Sequence, residues 1–174
     1  ELPGAHLEIR DKDNNLVEEW VSTEESHKVD LPHGKYTLTE RKPADGYVTA
    51  ETISFEVLQR TEEGDVEVQH VKMEDDITKV EISKQDVTTK KELPGAKLQI
   101  KDSDGKVVEE WTSTNETHYI ERLPIGKYTL TEVTAPNGYE VAETVAFEVL
   151  DTGEIQHVVM YDSPVVNTPK TGDV

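Results

Sequence analysis

Apolar and polar residues alternate over several short stretches of the chain, and this pattern predicts β-strands. The alternation is clear in residues 98–100, 127–131 and 145–150. A period of two gives each strand one buried face and one solvated face. Turn sequences rich in Gly, Pro, Asn and Asp separate the stretches, and no segment keeps a helical period. We therefore predict an all-β protein whose strands form an antiparallel sandwich.

The strand pattern occurs twice, because the chain is a tandem repeat with a period of about ninety residues. Glu1-Leu2-Pro3-Gly4-Ala5 returns as residues 92–96. Further matches follow in the same order: 17–20 with 108–111, 34–40 with 126–132, 46–47 with 138–139, 55–58 with 147–150, and 69–71 with 156–158. Such a period is the size of a small domain and too long for a solenoid unit. We predict two β-sandwich domains, over residues 1–76 and 77–166, followed by a disordered tail over 167–174.

The junction between the repeats does not have the composition of a flexible linker. Residues 75–79 contain no Gly, Pro or Ser and lead directly into the strand-like residues 80–84. Flexible linkers are rich in Gly and Ser. We therefore expect the last strand of the first repeat to pass almost directly into the first strand of the second.

Composition argues against several classes of function. The chain has 37 acidic and 18 basic residues and a formal net charge of −19, which disfavours nucleic acid and anionic membrane surfaces as partners. No apolar run approaches the roughly 18 residues that span a bilayer, so we expect no membrane insertion. The six histidines lack ligand spacing, and no Ser-His-acid constellation is evident. We expect no metal, no cofactor and no enzyme with turnover.

Two ionisable residues stand at positions that strand alternation turns toward the core. Glu132 shares parity with Leu130, and Lys84 shares parity with Val80 and Ile82. Burial disfavours charge on amines and carboxyls alike, so an amine and two carboxyls in an apolar core can exchange protons until all are neutral. A neutral amine is a nucleophile, and a protonated carboxyl can polarise an acceptor carbonyl. Because the chain has no cysteine, a cross-link of another kind would restrain such small domains.

Several motifs in a fixed order resemble the Cna B-type (SpaA-like) domains of Gram-positive adhesins and pilins. They are residues 80–86, 93–96, 126–132 and 135–139, and the resemblance covers nearly the whole chain, twice. Residues 157–162 are similar to the tag strand of a fibronectin-binding adhesin domain used for catcher and tag protein ligation. The resemblance implies an immunoglobulin-like, transthyretin-like (CnaB) β-sandwich. It also implies a spontaneous isopeptide bond between a lysine and an Asp or Asn side chain, promoted by a glutamate.

Carried over by position, the resemblance makes Lys84 the nucleophile, Asp162 the acceptor and Glu132 the acid that promotes the reaction. Asn167 is the alternative acceptor, because many relatives use a residue in its Val-Val-Asn-Thr-Pro context.

The first repeat has two of these three residues in corresponding positions, Glu40 and Asp75. The sequence begins at Glu1, and the strand that would carry the lysine of this repeat does not appear in it. We therefore expect that the first repeat cannot form its own bond within this sequence, and that its groove can accept a strand from another chain.

The resemblance implies a structural stalk of a cell-wall-anchored adhesin or pilin on the Gram-positive surface, and so an extracellular location. The alternative is an adhesin module that binds a host matrix protein such as fibronectin or collagen. The tail residues Pro169, Lys170, Thr171 and Gly172 are similar to the core of a sortase sorting signal, with Thr168 in place of the usual leucine. This similarity implies a sortase, and peptidoglycan or pilus subunits, as partners.

Overall fold

The computed structural model describes residues 1–59 and 68–166. All regular elements in these residues are strands, as expected for an all-β protein, and none is a helix long and apolar enough to cross a membrane. The chain divides into two compact units. Unit 1 comprises residues 1–78, 122–124 and 151–153, and unit 2 comprises 79–121, 125–150 and the chain from 154 onward.

Unit 1 contains one antiparallel sheet in which the strands lie in the order β2-β1-β3-β4. The strands are β1 (His6–Asp11), β2 (Leu16–Val21), β3 (Gly34–Lys42) and β4 (Ile53–Val57). Alternation buries Ile9, Tyr36 and Leu38 on one face of this sheet, and several partly buried apolar side chains pack against them.

Unit 2 contains two sheets that enclose a more completely buried core. The strands are β5 (Lys79–Asp86), β6 (Lys97–Asp102), β7 (Val107–Thr112), β8 (His118–Glu121), β9 (Gly126–Thr134), β10 (Val145–Val149) and β11 (Ile155–Asp162). One sheet has the order β10-β9-β6-β7 and the other the order β11-β5-β8. Leu98, Ile100, Leu130 and Val149 of the first sheet are fully buried, as is Val80 of the second.

One pairing in unit 2 is parallel, so the expectation of a purely antiparallel sandwich is wrong there. β5 and β11 run in the same direction, with Met160 paired to Lys84 and Asp162 paired to Asp86. A parallel pair requires a long crossover between its strands. The remaining strands of unit 2 lie between β5 and β11 in sequence, and they supply that crossover.

The first repeat does not end in a strand, contrary to the sequence-based expectation. Residues 68–76 have no regular structure, although they correspond to β11. β11 is ordered by its pairing with β5. Among the described residues of unit 1 no strand takes the place of β5, so this segment has no ladder to join.

Candidate cross-linking site

Three strands of unit 2 bring Lys84, Glu132 and Asp162 together in the core. Lys84 lies on β5, the central strand of the three-stranded sheet, and Asp162 is the last residue of the neighbouring β11. Glu132 lies on β9 of the facing sheet. The relative exposures are 2%, 4% and 0% for Lys84, Glu132 and Asp162, so the predicted inward orientation of Lys84 and Glu132 is confirmed.

The lysine amine lies between the two carboxyl groups. Lys84 Nζ is 3.1 Å from Oε2 of Glu132 and contacts Oδ1 of Asp162 directly. The second oxygen of Asp162, Oδ2, is buried and has no hydrogen-bond partner. An amine in contact with a carboxyl group, beside a second acid, is the arrangement that condensation to an amide requires.

The backbone fixes the orientation of Glu132, and burial changes its acidity. The Ala142 N–H donates a 2.7 Å hydrogen bond to Oε1 of Glu132, which leaves Oε2 directed at Lys84. Burial is the largest influence on the pKa of Glu132 and raises it, and the Asp162 carboxyl raises it further. The Ala142 hydrogen bond and Lys84 oppose this shift in the pKa without cancelling it. Glu132 therefore keeps a proton at a higher pH than an exposed glutamate does.

Apolar side chains exclude water from the site. Each of the three residues follows an inward-facing apolar residue two positions earlier on its own strand: Ile82, Leu130 and Met160. These three side chains have relative exposures of 2%, 0% and 1%. The alternation that builds the core therefore also builds the low-dielectric surroundings in which charge is disfavoured.

Unit 1 contains the carboxyl pair of this site within its described residues. The Ala50 N–H donates a 2.9 Å hydrogen bond to Oε1 of Glu40, just as Ala142 does to Glu132. Burial raises the pKa of Glu40 to about 7, and the neighbouring Asp75 adds to the increase. Burial also raises the pKa of Asp75, whose Oδ2 is buried without a hydrogen-bond partner.

A second polar contact beside the site was not predicted from the sequence. The Tyr139 hydroxyl donates a 2.6 Å hydrogen bond to Oδ2 of Asp86, two residues after Lys84. Oδ1 of Asp86 accepts the N–H groups of Thr88 and Thr89, and the hydrogen bond from Tyr139 is the largest influence lowering the pKa of Asp86. The available signal was the Gly-Tyr pair, which recurs in both repeats as residues 46–47 and 138–139.

Some of the predicted residues cannot be placed. Asn167, Pro169, Lys170, Thr171 and Gly172 lie outside the described residues. Within residues 1–59 and 68–166, no group of three or more His, Cys, Asp or Glu side chains is arranged to hold a metal ion.

Known proteins resemble the chain in each of its repeats. The sequence model of the SpaA family, a prealbumin-like fold domain, matches residues 1–72 and again residues 78–164. No curated protein matches the chain.

Solved structures also match the chain. The Bacillus anthracis TIE protein is 31% identical with a TM-score of 0.56, and the match covers 94% of this chain but 31% of the TIE chain. The shaft pilin SpaA from Lactobacillus rhamnosus GG is 16% identical with a TM-score of 0.46, covering 97% of this chain and 90% of the pilin. A streptococcal ancillary pilin is 18% identical with a TM-score of 0.43, covering 95% of this chain and 59% of that one.

Proposed function

The chain belongs to the SpaA family of prealbumin-like fold domains, and from this we propose that it is a structural segment of a Gram-positive surface pilin or adhesin. The solved structures similar to it include a shaft pilin and an ancillary pilin. Such a segment is extracellular and carries load instead of turning over a substrate. We propose the domain boundary at residues 76 and 77, as the repeat suggests.

We further propose that unit 2 is closed by an isopeptide bond between Lys84 and Asp162. The observation that supports this most directly is the contact of Lys84 Nζ with the Asp162 carboxyl, 3.1 Å from Oε2 of Glu132, among fully buried side chains. Within this site a proton passes from the ammonium to the carboxyl groups. The neutral amine then attacks Cγ of Asp162, and Glu132 donates a proton to the departing oxygen.

The reaction is balanced and self-limiting. The N–Cγ bond forms, one C–O bond of Asp162 breaks, and one water molecule leaves, while Glu132 regains its proton from the attacking nitrogen. Holding two reacting groups in contact lowers the activation free energy by roughly 7 to 11 kcal/mol, relative to free groups in solution. Glu132 is therefore the catalytic residue of a single turnover, and the protein is not an enzyme that releases product.

The bond would tie the first strand of unit 2 to its last. Tension applied at the ends of the unit would pass from β5 to β11 through the side chains of Lys84 and Asp162. The strands that lie between them in sequence would then carry little of the force. A stalk gains from this bond what a disulfide would give, without an oxidising compartment.

Intact mass spectrometry of the denatured chain tests the bond. We expect a mass one water below the sequence value, and a cross-linked peptide that contains Lys84 and Asp162. A mass one ammonia below would assign the acceptor to Asn167 instead. With Glu132→Gln, most molecules should keep the full mass and show no loss of water. With Glu148→Gln, on the exposed face of β10, the loss of one water should persist. A full-length mass in the unmodified chain would refute the proposal.

We propose that the partners are a sortase and the peptidoglycan or pilus subunits to which it joins surface proteins. Residues 169–172 are the candidate sorting motif. Incubation of the purified chain with a sortase and a nucleophilic peptide should give transpeptidation after Thr171. Thr171→Ala should prevent it.

Binding to a host matrix protein is the second candidate function. The observation that favours it is the exposure of Tyr119, Val159 and Tyr161 on strands β8 and β11. Immobilised fibronectin and collagen should capture the chain if it is correct, and Tyr161→Ser should weaken capture. No capture by either protein would leave the stalk function alone.

A further inference from the structure

Residues 138–142 of unit 2 lie between β9 and β10 and are hydrogen-bonded to the chain just beyond the acceptor. The Glu140 N–H donates a 3.0 Å hydrogen bond to the carbonyl of Ser163, the residue that follows Asp162. A second backbone hydrogen bond, of 2.8 Å, joins these residues to the chain two positions further on. We call residues 138–142 the bridging segment. It fixes the course of the chain immediately after the acceptor residue.

The other end of the bridging segment holds the acid of the site. The Ala142 N–H is the group that donates the 2.7 Å hydrogen bond to Oε1 of Glu132. Ala142 follows Glu140 by only two positions. A shift of the bridging segment would therefore move the acid and the chain next to the acceptor together. These backbone hydrogen bonds do not reach β5, which carries Lys84, so they do not set the distance from the segment to the amine.

The Tyr139 side chain joins the bridging segment to the strand of the lysine. Its hydroxyl donates a 2.6 Å hydrogen bond to Oδ2 of Asp86, the last residue of β5. Asp86 follows Lys84 by two positions, so the two side chains lie on the same face of the strand. Asp86 is 8% exposed, and a hydrogen bond to a carboxylate is stronger where water is excluded.

Asp86 is a well-fixed anchor for the hydroxyl. Its Oδ1 accepts the N–H groups of Thr88 and Thr89 at 2.7 and 3.1 Å. The next residue, Val87, donates its N–H to the carbonyl of Asp162 at 3.0 Å. The tyrosine hydroxyl and the two threonine N–H groups lower the pKa of Asp86, so the group that accepts the hydroxyl is a carboxylate. The end of β5 is therefore tied both to the acceptor residue and to the bridging segment.

We propose that the hydrogen bond between Tyr139 and Asp86 is a positioning contact for isopeptide formation, which sets the place of the lysine strand relative to the segment that holds the acid and the acceptor. The effect on the reaction rests on the proposed function of the site. Tyr139 and Asp86 are positioning residues that act through the bridging segment and β5. Condensation between two groups in contact is sensitive to such placement, because a misplacement of 1 Å can slow a reaction about a hundredfold.

The rate of bond formation in newly made chain tests the proposal. The chain is made in a brief cell-free reaction, synthesis is stopped, and samples quenched in acid are followed by intact mass spectrometry for the loss of one water. We expect Tyr139→Phe to slow this loss about tenfold. Tyr47→Phe removes the corresponding hydroxyl from unit 1 and should leave the rate unchanged. An unchanged rate with Tyr139→Phe would overturn the proposal.

Variants of Asp86 test whether the contact itself sets the rate. Asp86→Asn keeps an oxygen for the threonine N–H groups and an amide that can donate to the tyrosine oxygen, so its rate should stay within about threefold of the wild-type rate. Asp86→Ala should slow the loss of water at least about tenfold. If Asp86→Asn is as slow as Asp86→Ala, the charge of this residue sets the rate and the positioning contact is refuted.

The double variant tests whether the two side chains act as one contact. Tyr139→Phe added to Asp86→Ala should slow the reaction by less than about twofold more, because the hydrogen bond is already lost. A further loss of about tenfold would show that the hydroxyl acts without Asp86, and would overturn the assignment.

An osmolyte separates positioning from a simple loss of stability. Trimethylamine N-oxide favours the folded state because it is excluded from the protein surface. If Tyr139→Phe slowed the reaction only by unfolding some of the molecules, the osmolyte would restore the wild-type rate. We expect the difference of about tenfold to persist in its presence. Restoration of the rate would overturn the positioning role.

Amide hydrogen exchange tests the contact in a chain that cannot form the bond. In a Lys84→Met background, Tyr139→Phe should speed exchange of the Ala142 N–H about tenfold and leave that of Leu130, within β9, unchanged. Unchanged exchange at Ala142 would overturn the link between the hydroxyl and the bridging segment. Faster exchange, together with a wild-type chain that loses no water, would refute the isopeptide bond and support the contact. A bond that forms equally fast with Tyr139→Phe would refute only this inference.

Discussion

The two units are built from one sequence pattern, yet only unit 2 has a fully enclosed core. Their four-stranded sheets have the same register, with Leu7 opposite Trp20 in unit 1 and Leu98 opposite Trp111 in unit 2. In unit 2 the three-stranded sheet covers the inner face of this sheet, and Leu98 is completely buried. In unit 1 Leu7 is only partly buried.

The difference extends to other apolar positions of the core. Val149 and Met160 of unit 2 have relative exposures of 0% and 1%, whereas the corresponding Val57 and Met73 of unit 1 are partly buried. A single central strand therefore accounts for the closure of the core, because it supplies the side chains of Val80 and Ile82 and orders both neighbouring strands. The same strand brings the lysine.

Each unit contains one of the two tryptophans, so the units can be compared within one molecule. A Trp20→Phe background leaves Trp111 to report the unfolding of unit 2. A Trp111→Phe background leaves Trp20 to report the unfolding of unit 1. In each case the substitution lies outside the unit that is observed.

The largest expected effect is on the thermal stability of unit 2 when Lys84 is removed. Lys84 and Asp162 are 78 positions apart in the chain. A cross-link that closes a loop of this length stabilises the folded state by about 4 to 5 kcal/mol, because it reduces the conformational entropy of the unfolded chain. Lys84→Ala should therefore lower the melting temperature of unit 2 by about 20–30 °C, measured by Trp111 fluorescence.

The matched control is Lys127→Ala, which removes an exposed lysine from β9 of the same unit. We expect this change to alter the melting temperature by only a few degrees. Equal changes in the melting temperature for the two substitutions would show that the buried lysine stabilises unit 2 no more than an exposed lysine does.

Two corresponding valines test how much the apolar core of each unit contributes to its stability. Val158→Ala removes two methyl groups from the enclosed core of unit 2 and should lower its free energy of unfolding by about 2 kcal/mol. Val71→Ala, at the corresponding exposed position, should cost unit 1 less than about 0.5 kcal/mol. Urea denaturation in the two single-tryptophan backgrounds measures both values. A similar cost in both units would mean that Val71 is already covered.

Strand alternation predicted most of unit 2, because each side chain faces in or out by its parity along the strand. It predicted the inward orientation of Lys84 and Glu132 without knowledge of their neighbours. It could not predict the parallel pairing of β5 with β11, since direction depends on the path of the whole chain. It also missed the contact between Tyr139 and Asp86, because residues this far apart meet only in the folded sandwich.

The first repeat shows the limit of inference from sequence similarity. Residues 69–75 match the sequence of β11 at Gln69, His70 and Val71, and yet they form no strand. Local propensity selects an extended conformation, but a ladder requires a partner. Similarity between repeats therefore predicted the positions of Glu40 and Asp75 better than it predicted the secondary structure around them.

A change of pH should have a smaller effect, which arises from the buried carboxyl group of Glu40 in unit 1. The pKa of Glu40 rises from 4.5 to about 7 on folding, so folded unit 1 binds a proton more tightly than the unfolded chain does. Its stability is therefore full below pH 4.5 and falls as the pH rises toward 7. We expect a loss of about 1 to 2 kcal/mol, seen as a lower urea midpoint by Trp20 fluorescence.

Glu40→Gln is the control for this pH dependence, because glutamine keeps the shape of the side chain and does not titrate. The variant should show a much flatter profile between pH 4.5 and 7. A wild-type unit 1 whose urea midpoint rises over this range would contradict the argument.

The smallest effects are expected where the units are alike, at the stacked histidines. His27 stacks on Trp20 with an interplanar angle of 10°, and His118 stacks on Trp111 with an angle of 8°. An aromatic pair of this kind contributes about 0.5 to 1.5 kcal/mol beyond the area that it buries. His27→Ala and His118→Ala should therefore lower the stability of their own units by about 1 kcal/mol each, measured from urea midpoints. Because the two stacks have the same geometry, the two losses should agree within about 0.5 kcal/mol. A clearly larger loss in one unit would show that the missing strand alters the first sheet as well as the side that it leaves open.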